Sequence, residues 1–156
     1  MYGNVGVGLS GVQHAGSSTF TVGEIGVTLS YYNWLLKFDR TITNELRLFQ
    51  PEEKISSNSL LIGYSIQPFN TFPAFHLNGK IGIGNVETVR RGKVIGTAPF
   101  GVEYELITDK GNSTHIEVDL ELRPTQFLGF YLSTFSNINH IRNTYGASVG
   151  LIIGYF

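Results

Sequence analysis

Three carboxylates stand at alternate positions, Glu117, Asp119 and Glu121. On an extended chain residues two apart share a face, so these three would line one surface. Such a surface could hold a cation or move a proton. It could equally be one half of an ion-pair network, since unpaired charges taken out of water are costly. Lys37, Arg47 and Lys80 supply the opposite sign, and paired charge is the expected reading. None of the histidines His14, His76, His115 and His140 belongs to a His-x-x-x-His pair or a carboxylate–histidine ligand spacing. No metal site and no cofactor is therefore expected. Arg90, Arg91 and Lys93 form a basic cluster that suits phosphates such as those of lipopolysaccharide, or is simply solvated. The chain has no cysteine, which excludes thiolate chemistry and disulfides.

A chain of 156 residues fits one domain, expected to span 1–156. Eleven basic side chains against twelve acidic ones leave a net charge of −1. A nucleic-acid binder would show a basic excess, so no nucleic-acid partner is expected. No apolar run approaches the roughly 20 residues a membrane helix needs. The start, Met1-Tyr2-Gly3-Asn4, lacks the basic and apolar stretches of a secretory signal. If the protein is exported, its signal is expected to have been removed.

The elements that would position these residues are strands. Alternation with period 2 runs nearly end to end, in eight segments near 2–12, 20–32, 35–48, 57–67, 74–87, 114–123, 126–137 and 144–156. Many are 10 to 14 residues long, whereas ordinary strands average about 5–6 and tilted membrane strands need about 9–11. Val5, Val7 and Leu9 oppose Asn4, Gly6, Gly8 and Ser10; Ile116, Val118, Leu120 and Leu122 oppose Glu117, Asp119, Glu121 and Arg123. Arg40 and Asn44 interrupt the apolar face of the third segment. The expected fold is all-β, an eight-stranded antiparallel up-and-down transmembrane β-barrel.

Alternation alone does not say which face points inward, and a soluble lipocalin-like barrel would bury the apolar one. Three features favour the inverted arrangement. The polar face combines glycine and serine with both signs of charge: Glu24, Asp39, Glu45, Glu117, Asp119 and Glu121 would share a lumen with Lys37, Arg47, Lys80 and Arg123. An eight-stranded barrel is just wide enough for side chains to fill, so a closed charge network is expected and a pore is not. Short connections near 33–34, 68–73 and 124–125 alternate with longer ones at 13–19, 49–56, 88–113 and 138–143, as in barrels with short periplasmic turns and longer external loops. The region 88–113 is expected to be one long external loop, although Phe100–Ile107 reads as strand and could extend the wall as a hairpin. Ten strands is the competing count. Aromatics gather at the short-turn end (Tyr31, Tyr32, Trp34, Phe69, Phe72, Phe75, Phe127, Tyr155, Phe156) like an interfacial girdle. Phe20, Phe49, Phe135 and Tyr145 would lie nearer the other rim, and so would His115.

The terminal Phe156, after the alternating stretch from Ala147, resembles the assembly signal of outer-membrane barrels. Residues 57–156 resemble a family of small outer-membrane barrels of Bacteroidota, through Leu60-Leu61-Ile62-Gly63-Tyr64, Gly82-Ile83-Gly84, Arg90-Arg91-Gly92-Lys93, Arg123-Pro124-Thr125 with Leu128-Gly129, and Ser136-Asn137-Ile138-Asn139. The resemblance implies architecture and an outer-membrane location, not an activity. Phe135-Ser136-Asn137 also resembles the stretch around the serine of a lipid A deacylase, but Thr134 stands where that enzyme has its histidine. Without a base Ser136 is a weak nucleophile; His140 and Tyr145 stand nearby. The expected function is therefore a structural or interaction role in the outer membrane, with an accessory subunit of a larger complex as one form of it, in contact with outer-membrane lipids and lipopolysaccharide. A Ser136 hydrolase and a soluble ligand-binding barrel are the alternatives.

Overall fold

Alternating Val5, Val7 and Leu9 commit the first stretch to an extended chain, and the same pattern recurs through the molecule. The computed structural model describes residues 1–12, 20–45, 53–68, 74–98 and 101–155. Its strands are β1 (Tyr2–Val12), β2 (Phe20–Tyr31), β3 (Trp34–Glu45), β4 (Lys54–Ile66), β5 (Phe75–Ala98), β6 (Gly101–Leu122), β7 (Leu128–Asn139) and β8 (Thr144–Gly154). They form a closed barrel in chain order, each strand antiparallel to the next, with β1 closing on β8. No helix occurs among the described residues.

The apolar face points outward. Val7 and Ile83 are 67% and 75% exposed, whereas Lys37 and Glu117 are 2% and 1% exposed. That polarity overturns the soluble-barrel alternative, because an apolar surface of this extent is at home against lipid and not against water. At the end that carries the β2–β3 turn, Tyr31, Tyr32, Trp34, Tyr64, Phe127 and Tyr155 are exposed. Trp34 meets Tyr64 edge-on at 5.4 Å, and Phe127 lies 5.9 Å from Tyr155. Phe69, Phe72 and Phe156 lie outside the described residues, as does Phe49. Of the set expected nearer the other rim, Phe20 and Phe135 are buried inside, because they fall on the inward phase of their strands, and Tyr145 is exposed.

The connection expected to be a long loop at 88–113 is mostly strand. β5 runs to Ala98 and β6 begins at Gly101, and their ladder continues from Phe75↔Leu122 to Ala98↔Gly101. Residues 101–107 are therefore the start of β6, not a further strand, and the count is eight. Register shifts between Arg91 and Val94 and between Val94 and Gly96 add local twist, as bulges do. β4 leaves β5 at Val89, and β7 leaves β6 at Ser113. Beyond those points, among the described residues, β5 and β6 pair with each other alone, as a ribbon standing roughly 30 Å above the wall at about 3.4 Å per residue.

Arg40, which interrupts the apolar face of β3, belongs to a row of polar residues across the strands. Arg40 pairs laterally with Asn58, Asn58 with Asn85 and Asn85 with Asn112, and all four side chains are exposed. This polar rung crosses the outer wall where its apolar band stops. One step beyond it Glu87 pairs with Lys110 at 3.2 Å. A charge at this height avoids the 2–4 kcal/mol or so that an arginine costs at the bilayer midplane.

Candidate functional site

Inward phase on β2, β3, β5 and β6 delivers charged side chains to the middle of the barrel. β4 and β5 separate β3 from β6 along the wall, yet Lys37 reaches Glu117 across the interior, with Nζ 2.7 Å from Oε1. The same ammonium lies 2.7 Å from Glu24 and 3.1 Å from Asp39. Lys80 bridges Glu117, at 2.8 Å, and Asp119. Neutral donors complete this level. Asn4 donates to Glu24 Oε1 at 2.9 Å, Ser148 to Glu24 Oε2 at 2.7 Å and Thr41 to Asp39 Oδ2 at 3.0 Å.

A second level lies toward the aromatic end. Arg123 pairs with Glu121 at 2.6 Å, and its guanidinium also covers the Tyr2 ring at 5.0 Å. Tyr2 donates to Glu121 Oε1 at 3.2 Å. A third level closes the ribbon end. There Arg91 pairs with Glu45 at 2.5 Å and approaches Glu53 at 3.6 Å, while Arg142 from the β7–β8 connection also binds Glu53. Inside it lies an apolar layer of Val12, Phe20, Ile55 and Val86 with Ile141 packed against it. Between Lys37, Lys80, Asp119, Tyr131 and their neighbours the interior leaves a cavity of about 10 Å³.

Of the expected lumen residues, Glu24, Lys37, Asp39, Lys80, Glu117 and Asp119 thus meet in one cluster. Glu121 and Arg123 form a separate pair, and Glu45 belongs to the ribbon-end group. Arg47 lies outside the described residues. The basic cluster is divided: Arg90 binds Asp109 at 2.7 Å, Arg91 turns onto Glu45, and Lys93 is exposed. Ser136 is on the outward phase of β7, opposite Tyr145. Among the described residues it makes no hydrogen bond to a histidine, His140 included.

His115 was expected near a rim. It is 1% exposed and deep inside, because β6 begins thirteen residues before the expected start at 114. Its Nδ1 is 3.2 Å from Ser59 Oγ and its ring lies 5.9 Å from that of Phe135. With Asp39 and Glu117 it forms a set of donor atoms all within 4.8 Å of one another. Spacing along the chain could not show this set, since Asp39 comes from β3 and the other two from β6.

Against solved structures, the chain matches Neisserial surface protein A with a TM-score of 0.75 at 9% identity, over 99% of this chain and 96% of that one. The eight strands make one outer-membrane-type barrel. The attachment invasion locus protein of Yersinia pestis matches with a TM-score of 0.62 at 12% identity, over 97% of this chain and 95% of that one. The N-terminal β-barrel domain of Pseudomonas aeruginosa OprF matches with a TM-score of 0.55 at 10% identity, over 97% and 96% of the two chains. No family model and no curated protein matches the chain. At these identities the likeness is one of fold.

Proposed function

We propose that the protein is a small integral barrel of the bacterial outer membrane with a structural or interaction role, acting through its surface and above all through the β5–β6 ribbon. The filled interior carries this reading. Ion pairs occupy it at three levels, and a cavity of about 10 Å³ is barely the volume that one water needs. That cavity has no room for a conduit or an organic ligand. The ribbon end is taken as the external side, since outer-membrane barrels keep short turns toward the periplasm. Arg90 and Lys93 at the ribbon's base would meet lipopolysaccharide phosphates.

Two neighbours in structure bear names that favour surface contact. One is a surface protein, and the other an attachment invasion locus protein also crystallised with the heparin analogue sucrose octasulfate. The resemblance of residues 57–156 to barrels of Bacteroidota supports an envelope of that kind. The hydrolase alternative finds no support, with Ser136 on the outward phase of β7 and no histidine hydrogen-bonded to it among the described residues.

Co-purification from native membranes in mild detergent tests the accessory-subunit version. The full chain is expected to carry a partner that is lost when residues 92–106 are replaced by a two-residue turn. Recovery of the full chain as a free monomer under several mild conditions would overturn it.

A further inference from the structure

Among the described residues, charge is balanced at two of the three interior levels and unbalanced at the middle one. Arg123 answers Glu121, and Arg91 with Arg142 answers Glu45 and Glu53. In the middle, among the described residues, Glu24, Asp39, Glu117 and Asp119 share the two ammonium groups of Lys37 and Lys80. Four carboxylates against two ammoniums leave a formal excess of two negative charges in a space closed to solvent. Each uncompensated buried charge costs several kcal/mol.

Two of the buried atoms without a hydrogen bond at this level belong to neighbouring residues, His115 and Asp39. His115 Nε2 is fully buried and makes no hydrogen bond. It lies 3.7 Å from Glu117 Oε2, while the other ring nitrogen is engaged by Ser59. Glu117 has the same division: Oε1 is held by Lys37 and Lys80, and Oε2 faces the imidazole. Asp39 Oδ2 accepts the Thr41 hydroxyl, and Oδ1 makes no hydrogen bond although Lys37 stands 3.1 Å away. His115 and Glu117 thus each have one atom anchored and one turned toward the other, and Asp39, whose donor atoms lie within 4.8 Å of theirs, has one oxygen anchored by Thr41 and one without a hydrogen bond. Metal-binding histidines and carboxylates are held in this way by the groups around them.

We propose that Asp39, His115 and Glu117 form an intraluminal site for one divalent transition-metal ion of the zinc class. The donor set, one imidazole and two carboxylates, suits zinc, and so does a coordination shell of three protein ligands with one position open. Ligand bonds of about 2.0–2.2 Å set tetrahedral donors roughly 3.4 Å apart, close to the imidazole–carboxylate separation here. Two positive charges cancel the excess at this level. Lys37 can yield Asp39 to the ion and keep Glu24 and Glu117. Because the interior is closed, the ion enters as the barrel forms. The site is independent of the surface role proposed above, and its failure would leave that role untouched.

The full chain is refolded into detergent with zinc present, passed through gel filtration and assayed for metal, with folding checked by heat-dependent gel mobility. One zinc per barrel is expected, falling at least tenfold in His115→Gln and Asp39→Asn. No retained zinc, or as much in His115→Gln as in the wild type, would overturn the proposal. Should both variants fail to fold, refolding the wild type with cobalt decides. Visible absorption of four-coordinate cobalt supports the site, and the spectrum of hydrated cobalt rejects it.

Discussion

Lys80 stands between Glu117 and Asp119, and its removal would leave Asp119 without its partner and take one of two ammoniums from Glu117. Breaking a buried pair from one side costs about 3–5 kcal/mol. Lys80→Met is therefore expected to lower the unfolding temperature in detergent, and Lys37→Met to lower it further, since Lys37 serves three carboxylates. A melting curve unchanged by Lys80→Met would remove that residue as a necessary partner. At this scale the sequence was legible in sign and phase: charges on alternate positions point inward and meet opposite charges. It was not legible in depth. His115 looked like a rim residue because the start of its strand was hidden, and Asp39 lies 76 positions from it in the chain. Such a group exists only once strands β3 and β6 face each other.

Strand register is set where small residues admit large ones. The Tyr131 ring lies over the inner faces of Gly6 and Gly150, where a Cβ on Gly150 would stand 2.5 Å from Tyr131 Cε1 and 2.1 Å from the Val5 carbonyl oxygen. Gly150→Val is expected to cost about 1–3 kcal/mol by overpacking, read as a lower melting temperature. Gly79→Ala is the control, since nothing lies within 4 Å of its added Cβ; an equal loss in both variants would sink the packing account. The eight elements were readable because lipid on one side and a packed lumen on the other impose period 2. The pattern faded beyond residue 87 for the same reason. Above the wall the β5–β6 ribbon has no buried apolar face to maintain, and Arg90, Lys93, Glu103, Glu105 and Lys110 occupy it on both phases. A loop was the natural expectation there, although the backbone remains paired.

At the scale of the molecule, ion pairs at three heights and an apolar layer fill the interior among the described residues. In planar bilayers the purified barrel is expected to show no steady ion conductance. Reproducible channel steps from the wild type would contradict the closed interior. The aspect of the whole that alternation reached least was its asymmetry: among the described residues β5 and β6 run far beyond the other six strands. The physical reason is that strand length above the membrane is set by pairing within the ribbon, which carries no hydrophobic signature.

The seam between β1 and β8 is as regular as any other pairing, from Tyr2↔Gly154 to Val12↔Thr144. Beside it the Met1 amine donates to the Tyr155 carbonyl at 3.0 Å, and the Tyr155 amide donates back to the Met1 carbonyl at 3.1 Å. The ring of strands therefore has no privileged origin. A short tether across that contact, with the chain cut instead between Tyr32 and Asn33, would describe the same closed sheet in a different reading order. What the fold requires is the cycle of neighbours, not the strand with which the chain happens to begin.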